Sequence, residues 1–320
     1  MNWGILGCAN IAISSVIPAI LRVDKNANIT IASRDSVKAE KAAKQFDGAF
    51  VAGYDALLDI DNIDAVYIPL PTGLHYEWVK KTILSGKHVL VEKSATNNYA
   101  EAKELIELAK QTNVAVVENF QFQHHSQHQY VFDLLNKGEI GEIRTFRSSF
   151  GFPPFSEDVN IRYKKELGGG ALLDAGAYVL KATSFIMGDG FKVKSAYLKN
   201  NDNFNVDWFG GAFLVNKDKD IFSEVAFGFD NFYQCNYEIW GSKGKITSTR
   251  AFTAKADFNP TIILEKQGYY EEIELPKDDH FANMIAYFIK KIEAKSFKKE
   301  WNNILVQAKL IEDVRQLSNL

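Results

Sequence analysis

The sequence has little of several features that mark whole classes of protein. Its 320 residues include only two cysteines, Cys8 and Cys235, which lie far apart and lack the paired spacing of a zinc site. A disulfide-stabilised secreted fold is therefore not indicated, and we expect a reducing, cytoplasmic location. Apolar runs stay well short of the roughly 18–20 residues that cross a bilayer. The opening MNWGILGCAN has no basic segment ahead of an apolar one, so neither a membrane partner nor a secretory signal is predicted.

A strong charge of either sign is also missing. The 37 basic and 40 acidic residues leave a net charge of −3, whereas nucleic-acid binders usually carry a basic excess. We therefore predict no nucleic-acid partner. The hydrophobic fraction of 46% is that of a globular protein with a substantial core, and the length predicts about two domains.

The first third of the chain alternates short apolar runs with helical patterns. Predicted strands are Trp3–Leu6, Ile29–Ala32, Ala65–Ile68, His88–Val91 and Val114–Val117. Predicted helices are Ile11–Leu21 and the segments SVKAEKAAKQF, HYEWVKKTILSG and YAEAKELIELAKQ. This alternation predicts an α/β Rossmann domain with a doubly wound parallel sheet over residues 1–120.

After about residue 120 the pattern changes to strands with few helices between them. Segments such as EIRTFRSSF, IFSEVAFGF and YQCNYEIWG alternate apolar and polar residues, which indicates a sheet with one covered face. Two amphipathic helices close the chain. We predict an α+β domain over residues 121–320 with a large, mostly antiparallel open sheet. Because an uncovered apolar sheet face favours association, we expect a homodimer or homotetramer.

A loose dinucleotide fingerprint follows the first strand. Gly7-Cys8-Ala9-Asn10-Ile11-Ala12 has glycine at the tight turn and alanine at the two later glycine positions, so the backbone can approach a pyrophosphate at a helix start. The same pattern suits a packed strand–helix junction without ligand. Its place at the start of a βαβ unit favours cofactor binding by Gly7, Ala9, Asn10 and Ile11.

The end of the second strand bears on the choice of cofactor. NAD sites usually place a carboxylate there, but ITIASRDS places Ser33 and Arg34, with Lys38 on the next helix and Asp35 one position further. Hydroxyl and cationic groups can bind a 2′-phosphate that a carboxylate would repel. We predict NADP(H), with NAD(H) as the alternative. An ordinary exposed loop would also explain these residues.

Several motifs together resemble a known family. VYIPLPTGLHYEWVKKTILSGKHVLVEK, VVENFQFQHHSQH, KGEIGEIRTF and LGGGALLDAGAY occur in the order found in the glucose-fructose oxidoreductase/inositol dehydrogenase/MocA family, and the match spans essentially the whole chain. Within it, Phe120–His128, Phe150–Tyr163 and the tyrosine-terminated glycine segment most resemble reductases of 3-keto-6-deoxyhexoses attached to a nucleoside diphosphate. Tyrosine-bearing members also include aldose and dihydrodiol dehydrogenases.

The resemblance implies a set of site residues. The family's catalytic lysine falls on Lys93, and its Asp-x-x-x-His motif falls on Asp174 and Tyr178, where tyrosine replaces histidine. Implied cofactor contacts are Leu70, Pro71, His75, Glu92, Lys93 and Asn119. The family's Glu-Lys-Pro is Glu92-Lys93-Ser94 here, which leaves open whether the Lys93–Ser94 bond is cis.

These residues suit ketone reduction. The dihydronicotinamide supplies hydride, and a proton donor must reach the carbonyl oxygen. A tyrosine with a reference pKa near ~10 can donate at neutral pH, and a nearby ammonium stabilises the developing oxyanion. Tyr178 is the predicted donor and Lys93 its electrostatic partner, while Asp174 orients Lys93 or binds a sugar hydroxyl. Alternatively, the glycines precede a packed core helix in which Tyr178 and Asp174 satisfy each other.

Two further residues are predicted to contact substrate. His124, His125 and His128 include a zinc-like i, i+4 pair, but no glutamate or acid cluster accompanies them, so we predict no metal. His125 is the predicted substrate contact, with helix capping as the alternative. Arg162 is a candidate for the diphosphate, to which guanidinium is suited, although a surface arginine fits as well.

Three functions remain distinguishable. The leading prediction is an NADP-dependent oxidoreductase that reduces the C3 keto group of a nucleotide-linked deoxysugar. The alternatives are an aldose or dihydrodiol dehydrogenase and a non-catalytic dinucleotide-sensing regulator. Retention of Lys93, Asp174 and Tyr178 argues against the regulator.

Overall fold

A parallel sheet organises the first part of the chain. The computed structural model describes residues 1–155 and 160–318, so residues 156–159 of the Phe150–Tyr163 motif lie outside the described residues. The strands of this sheet are β1 (Asn2–Leu6), β2 (Asn28–Ser33), β3 (Ala49–Ala52), β4 (Ala65–Ile68), β5 (His88–Glu92) and β6 (Val116–Asn119). Among the described residues they pair in parallel in the order β3-β2-β1-β4-β5-β6. The predicted doubly wound fold is confirmed.

The strand order reverses between β1 and β4 at the centre of the sheet. From β1 the chain adds β2 and β3 on one side, and it then adds β4, β5 and β6 on the other side of β1. Apolar residues such as Ile5, Val66 and Val89 are fully buried because helices cover both sheet faces. These helices are α1 (Ile17–Val23), α2 (Ser36–Ala43), α3 (Tyr54–Leu58), α4 (His75–Leu84) and α5 (Tyr99–Thr112). In such sheets, ligands bind outside the carboxyl ends of the strands, where the order reverses.

The chain divides into two compact units. The first unit comprises Met1–Asn119 and Phe281–Ala308, and the second comprises Phe120–His280 and Lys309–Leu320. The closing helices are α8 (His280–Glu293) and α9 (Lys298–Ser318). Ring contacts hold them to the first unit: Phe288 lies 5.4 Å from Trp3, and Phe297 lies 5.8 Å from His88.

A second sheet forms the body of the second unit. Its strands are β7 (Ile143–Phe152), β8 (Lys192–Asn201), β9 (Val206–Asn216), β10 (Ile221–Phe229), β11 (Gln234–Gly241), β12 (Gly244–Ser248), β13 (Thr261–Lys266) and β14 (Tyr269–Glu274). Within the described part of the chain the order is β14-β13-β12-β11-β7-β10-β9-β8. Only the β7–β10 pair of these neighbours is parallel. The predicted mostly antiparallel sheet is confirmed.

The two faces of this sheet differ in burial. Helices α6 (Ser126–Asn136) and α7 (Ala177–Met187) accompany the face that buries Phe146, Phe227 and Ile239. The alternate residues include the exposed rings of Tyr197, Phe209 and Trp240. The strands thus alternate between a covered face and an open one, as the period of two dictates. No helix of the described residues is long and apolar enough to cross a membrane.

Buried polar groups connect α6 to the sheet. His128 Nδ1 lies 3.0 Å from the Tyr237 hydroxyl, and Ser248 Oγ donates to Gln127 Oε1 at 3.1 Å. Burial lowers the pKa of His128 to about 3 and, together with the nearby His125, lowers that of His280 to about 4. Both imidazoles are therefore neutral in the folded protein at neutral pH.

We expect the folded state to lose stability steeply in mild acid. An unfolded histidine has a pKa near ~6.5, so below that pH the unfolded chain binds protons that the buried imidazoles refuse. The buried histidines therefore leave the free energy of unfolding unreduced above pH ~6.5. They lower it as the pH drops towards the folded pKa values of about 4 and 3. The His128→Gln variant should show a shallower fall of Tm between pH 7 and ~5. Equal slopes for the two proteins would contradict this assignment.

Candidate active site

Predicted cofactor residues of the first unit gather at one edge of the parallel sheet. They are Gly7 after β1, Ser33 at the end of β2, Leu70 and Pro71 after β4, Glu92 at the end of β5, Lys93 after it, and Asn119 at the end of β6. The strands are parallel, so their carboxyl ends lie together. This edge includes the reversal of strand order between β1 and β4.

The fingerprint loop makes a tight turn at Gly7. Its φ of 106° is a backbone conformation that residues with a side chain rarely adopt, and an added Cβ would lie 3.2 Å from the Leu70 side chain. The Ala9 carbonyl accepts from Ala12 N at 3.0 Å, so helical structure begins at Asn10 and Ile11. Unpaired amides at a helix start favour a phosphate. The helix predicted for Ile11–Leu21 is present, and it contains a π-helical turn over Ala12–Val16 before α1.

The carboxylate that follows β2 is engaged by the protein backbone. Asp35 Oδ1 accepts from the backbone amides of Val37 and Lys38, both at 3.1 Å, and so caps α2. Asp35, the carboxylate nearest to the predicted 2′-phosphate site, therefore already accepts hydrogen bonds from the start of α2. Ser33 is almost buried, whereas Arg34 and Lys38 are exposed. This local arrangement fits a 2′-phosphate better than an additional hydroxyl.

Glu92 lies in a small hydrogen-bonded cluster beside Lys93. Its Oε1 accepts from the Tyr67 hydroxyl at 2.7 Å and from Asn119 Nδ2 at 2.6 Å. Burial raises the pKa of this carboxyl, although these hydrogen bonds oppose the rise. The cluster fixes the end of β5 and therefore the starting point of the Lys93 side chain. The Lys93–Ser94 peptide bond, which the sequence left open, is cis.

His75 joins two of the loops at this edge. Its Nδ1 lies 2.8 Å from the Ser94 carbonyl, and its Nε2 lies 2.6 Å from the Leu70 carbonyl. Burial lowers its pKa to about 4, and the charge of Lys93 acts in the same direction. His75 therefore connects the loop after β4 to the loop after β5. A direct contact with cofactor stays a prediction.

The glycine segment of the second unit leads into a second π-helical turn, Leu172–Gly176, directly before α7. At Gly170, φ is 116° and an added Cβ would lie 2.2 Å from Asp207 Oδ1. Asp207 accepts from the amide of Leu172 at 2.5 Å, so glycine is required for this acid to reach the turn. Asp174 lies within the π-helical turn. The direction from Asp174 to Tyr178 therefore differs from that of an i, i+4 pair in a regular α-helix.

Aromatic rings surround Tyr178. Its ring centroid lies 5.2 Å from that of Phe150, 5.5 Å from Phe120, 5.6 Å from Phe252 and 5.9 Å from Phe122. We call these four rings the aromatic cage. Tyr178 is only 8% exposed, and Gln121 Nε2 donates to its hydroxyl at 3.4 Å.

Sequence reasoning did not identify Gln121. It follows the last parallel strand by two residues, and this position at a strand's carboxyl end was the available signal. Its Oε1 is buried and has no hydrogen-bond partner among the described residues. An amide so placed fixes the phenol oxygen on one side.

The two predicted substrate residues are both engaged by protein groups. Arg162 Nε donates to Asp174 Oδ2 at 2.5 Å, and its guanidinium lies 4.6 Å from the centre of the Phe155 ring. His125 Nδ1 accepts from Gln127 N at 3.1 Å and caps α6, and its side chain has no exposed surface. The capping alternative for His125 therefore holds. Contacts of Arg162 and His125 with substrate stay predictions. Among the described residues, no group of three or more His, Cys, Asp or Glu side chains is placed to hold a metal ion.

Known proteins are similar to this chain over nearly its whole length. Residues 1–120 match the family described as "Oxidoreductase family, NAD-binding Rossmann fold", and residues 128–247 match the GFO/IDH/MocA C-terminal domain. The chain is 38% identical over 313 residues to a dTDP-3,4-didehydro-2,6-dideoxy-alpha-D-glucose 3-reductase from Actinomadura kijaniata, covering 98% of this chain and 94% of the relative. It is 40% identical over 291 residues to the reductase of the same name from Saccharopolyspora spinosa, covering 91% and 87%.

A solved structure is similar over nearly the whole chain. It is a 3-ketoreductase from Actinomadura kijaniata in complex with NADP and TDP-benzene, with a TM-score of 0.95 and 36% identity. The similarity covers 99% of this chain and 97% of that one.

Proposed function

Because the chain belongs to the GFO/IDH/MocA oxidoreductase family, we propose that it reduces the 3-keto group of a dTDP-linked deoxysugar with NADPH. The relatives named as such reductases are 38% and 40% identical to it. One observation carries the assignment within the chain: the Tyr178 ring packs against the aromatic cage, and Gln121 Nε2 donates to its hydroxyl. A phenol is both an acceptor and a donor of hydrogen bonds, so an oriented phenol can deliver a proton to a substrate oxygen.

The residues divide the work of ketone reduction between them. Bound NADPH supplies the hydride. Tyr178 donates its proton to the carbonyl oxygen, and the ammonium of Lys93 stabilises the negative charge that develops on that oxygen. Arg162 holds Asp174 in the π-helical turn before α7, and we propose that this carboxylate binds a sugar hydroxyl. The cage excludes water from the proton donor.

The cofactor site fits NADPH through the chain's own groups. Gly7 allows the close approach of a pyrophosphate, and Arg34 with Lys38 binds the 2′-phosphate. Leu70, Pro71 and Asn119 are proposed contacts at the same sheet edge. NADP in the similar solved structure supports this choice over NAD.

Arg34 should set the preference between the two cofactors. We expect Arg34→Ala to weaken NADPH binding by about 10- to 100-fold, because a hydrogen bond to a charged group contributes about 1.5–3 kcal/mol. NADH lacks the 2′-phosphate, so its Kd should change little. Fluorescence titration of both cofactors measures the ratio, with Lys103→Ala on α5 as a control. An equal effect on NADH and NADPH would show that Arg34 does not read the phosphate.

The open sheet face supports a proposed homodimer or homotetramer. Tyr197, Phe209 and Trp240 are exposed there beside the ion pairs of Arg147 with Glu224 at 2.6 Å and Glu238 at 3.5 Å. A second copy would bury these rings. Light scattering on the purified chain tests this, and a cytoplasmic location also stays a prediction.

Direct turnover tests the proposed reaction. Purified protein with NADPH and a dTDP-3-keto-6-deoxyhexose should consume NADPH, whereas free aldoses with NADP⁺ should not be oxidised at a comparable kcat/KM. Turnover of aldoses or diols alone would assign the dehydrogenase alternative. Cofactor binding without turnover of either class would assign the regulator.

A further inference from the structure

Arg250 is a cation in contact with two aromatic rings. It follows β12, and its guanidinium carbon lies 4.9 Å from the centre of the Tyr233 ring and 5.5 Å from that of Phe258. Among the described residues no carboxylate pairs with it, and its buried Nε has no hydrogen-bond acceptor. A buried donor without acceptor is unfavourable, so such a group calls for an explanation.

The position of Arg250 is fixed by the protein. Gln127 Nε2 donates to its carbonyl at 3.2 Å, and Gln127 is itself held by Ser248. The Tyr233 hydroxyl lies 2.7 Å from Thr253 Oγ1, which orients the ring against the guanidinium. The cation is therefore preorganised before any ligand binds, which reduces the entropy that binding must overcome.

Arg250 lies on the same loop as one wall of the aromatic cage. Phe252, two residues further along, has its ring centroid 5.6 Å from that of Tyr178. Phe258, on the same loop, is 39% exposed, and Phe232, next to Tyr233 on the loop between β10 and β11, is 87% exposed. Two loops of the second unit thus supply a residue of the aromatic cage, exposed rings, and a cation that pairs with no carboxylate of the described residues.

We infer that Arg250 with Tyr233, Phe258 and Phe232 binds the nucleoside diphosphate portion of the substrate. A guanidinium stacked on rings directs its N–H groups outward in its own plane, where they match the oxygens of a phosphate. The exposed rings offer faces to the base. Arg162, the cation that the sequence indicated for this part, has its Nε on Asp174, whereas Arg250 pairs with no acid of the described chain. This inference rests on the proposed function.

Binding of dTDP to the whole protein, saturated with NADP⁺, tests the inference by calorimetry. We expect Arg250→Met to weaken dTDP binding by about 10- to 100-fold and Arg250→Lys by less, because lysine keeps the charge but loses the planar pair of donors. Thymidine, which has no phosphate, should lose less than about 3-fold in affinity with Arg250→Met. Phe258→Leu should weaken both probes. Arg144→Met, which removes an exposed arginine paired with Glu142, is the matched control.

The outcomes separate this inference from the proposed reaction. If the wild-type protein reduces the dTDP-keto sugar and binds dTDP, while Arg250→Met and Arg250→Lys bind dTDP as tightly as wild type, the inference is wrong and the reaction stands. If the wild-type protein binds NADP⁺ but neither binds dTDP nor reduces the sugar, both are wrong. Far-UV circular dichroism and Tm of each variant identify any that has failed to fold. For such a variant, Arg250→Lys and Phe258→Leu decide the question.

Discussion

Replacing Tyr178 with phenylalanine is expected to lower kcat by about 10²- to 10⁴-fold, the usual contribution of a positioned general acid. The change removes one hydroxyl and keeps the ring that packs against Phe150 and Phe252, so the aromatic cage should survive. Binding of NADPH should be unchanged, because the lost hydroxyl is assigned to the substrate oxygen and the fingerprint loop keeps all its residues. Steady-state NADPH consumption with a dTDP-3-keto sugar measures kcat, and fluorescence titration measures the Kd.

A matched tyrosine separates chemistry from folding. The hydroxyl of Tyr287 donates to Glu300 at 2.5 Å between α8 and α9. We expect Tyr287→Phe to lower Tm while leaving kcat near the wild-type value. Wild-type kcat in Tyr178→Phe would remove this residue from the reaction and with it the central assignment.

Replacing Lys93 with methionine is expected to lower kcat by about 10²- to 10³-fold, as for the loss of one donor to a developing oxyanion. Methionine keeps much of the length of the stem but removes the ammonium. The hydrogen bonds that Tyr67 and Asn119 donate to Glu92 are retained in this variant, so β5 should keep its end. Lys80→Met, which breaks a surface pair with Glu104, is the control and should retain activity.

A double-mutant cycle asks whether Lys93 and Tyr178 act on one oxygen. If they do, the fold-loss of kcat in the double variant should be much smaller than the product of the two single fold-losses, because either change alone disables the same step. Fully multiplicative losses would mean that the two side chains serve separate steps. The cycle requires only kinetic measurements and no structure of the substrate complex.

Much of the parallel sheet was predictable because its strands are short, apolar and separated by helices of clear period. The exceptions are instructive. Strand β3 (Ala49–Ala52) was not predicted, since it lies at the sheet edge with mostly exposed residues and therefore lacks an apolar pattern. The last strand was placed at 114–117 but is Val116–Asn119, because Val114 and Ala115 are buried as strongly as the strand that follows.

Some residues of the candidate site were likewise predictable from the sequence and others were not. Positions at strand ends, such as Gly7 and Lys93, follow from the order of elements and from family resemblance. Gln121 and Arg250 do not, since their meaning comes from partners distant in sequence, Tyr178 for the first and the rings of Tyr233 and Phe258 for the second. The ion pair of Arg162 with Asp174 likewise requires the loop geometry that glycines permit.

The π-helical turn at Leu172–Gly176 makes the aim of Tyr178 depend on length rather than on residue type alone. Each residue of an α-helix turns the direction of its neighbours by about 100°. Winding the same residues as an ordinary α-helix would turn the phenol about a quarter-circle from its present direction, because the π turn takes one more residue to go round. The direction of the proton donor therefore depends on the wide winding of this short segment.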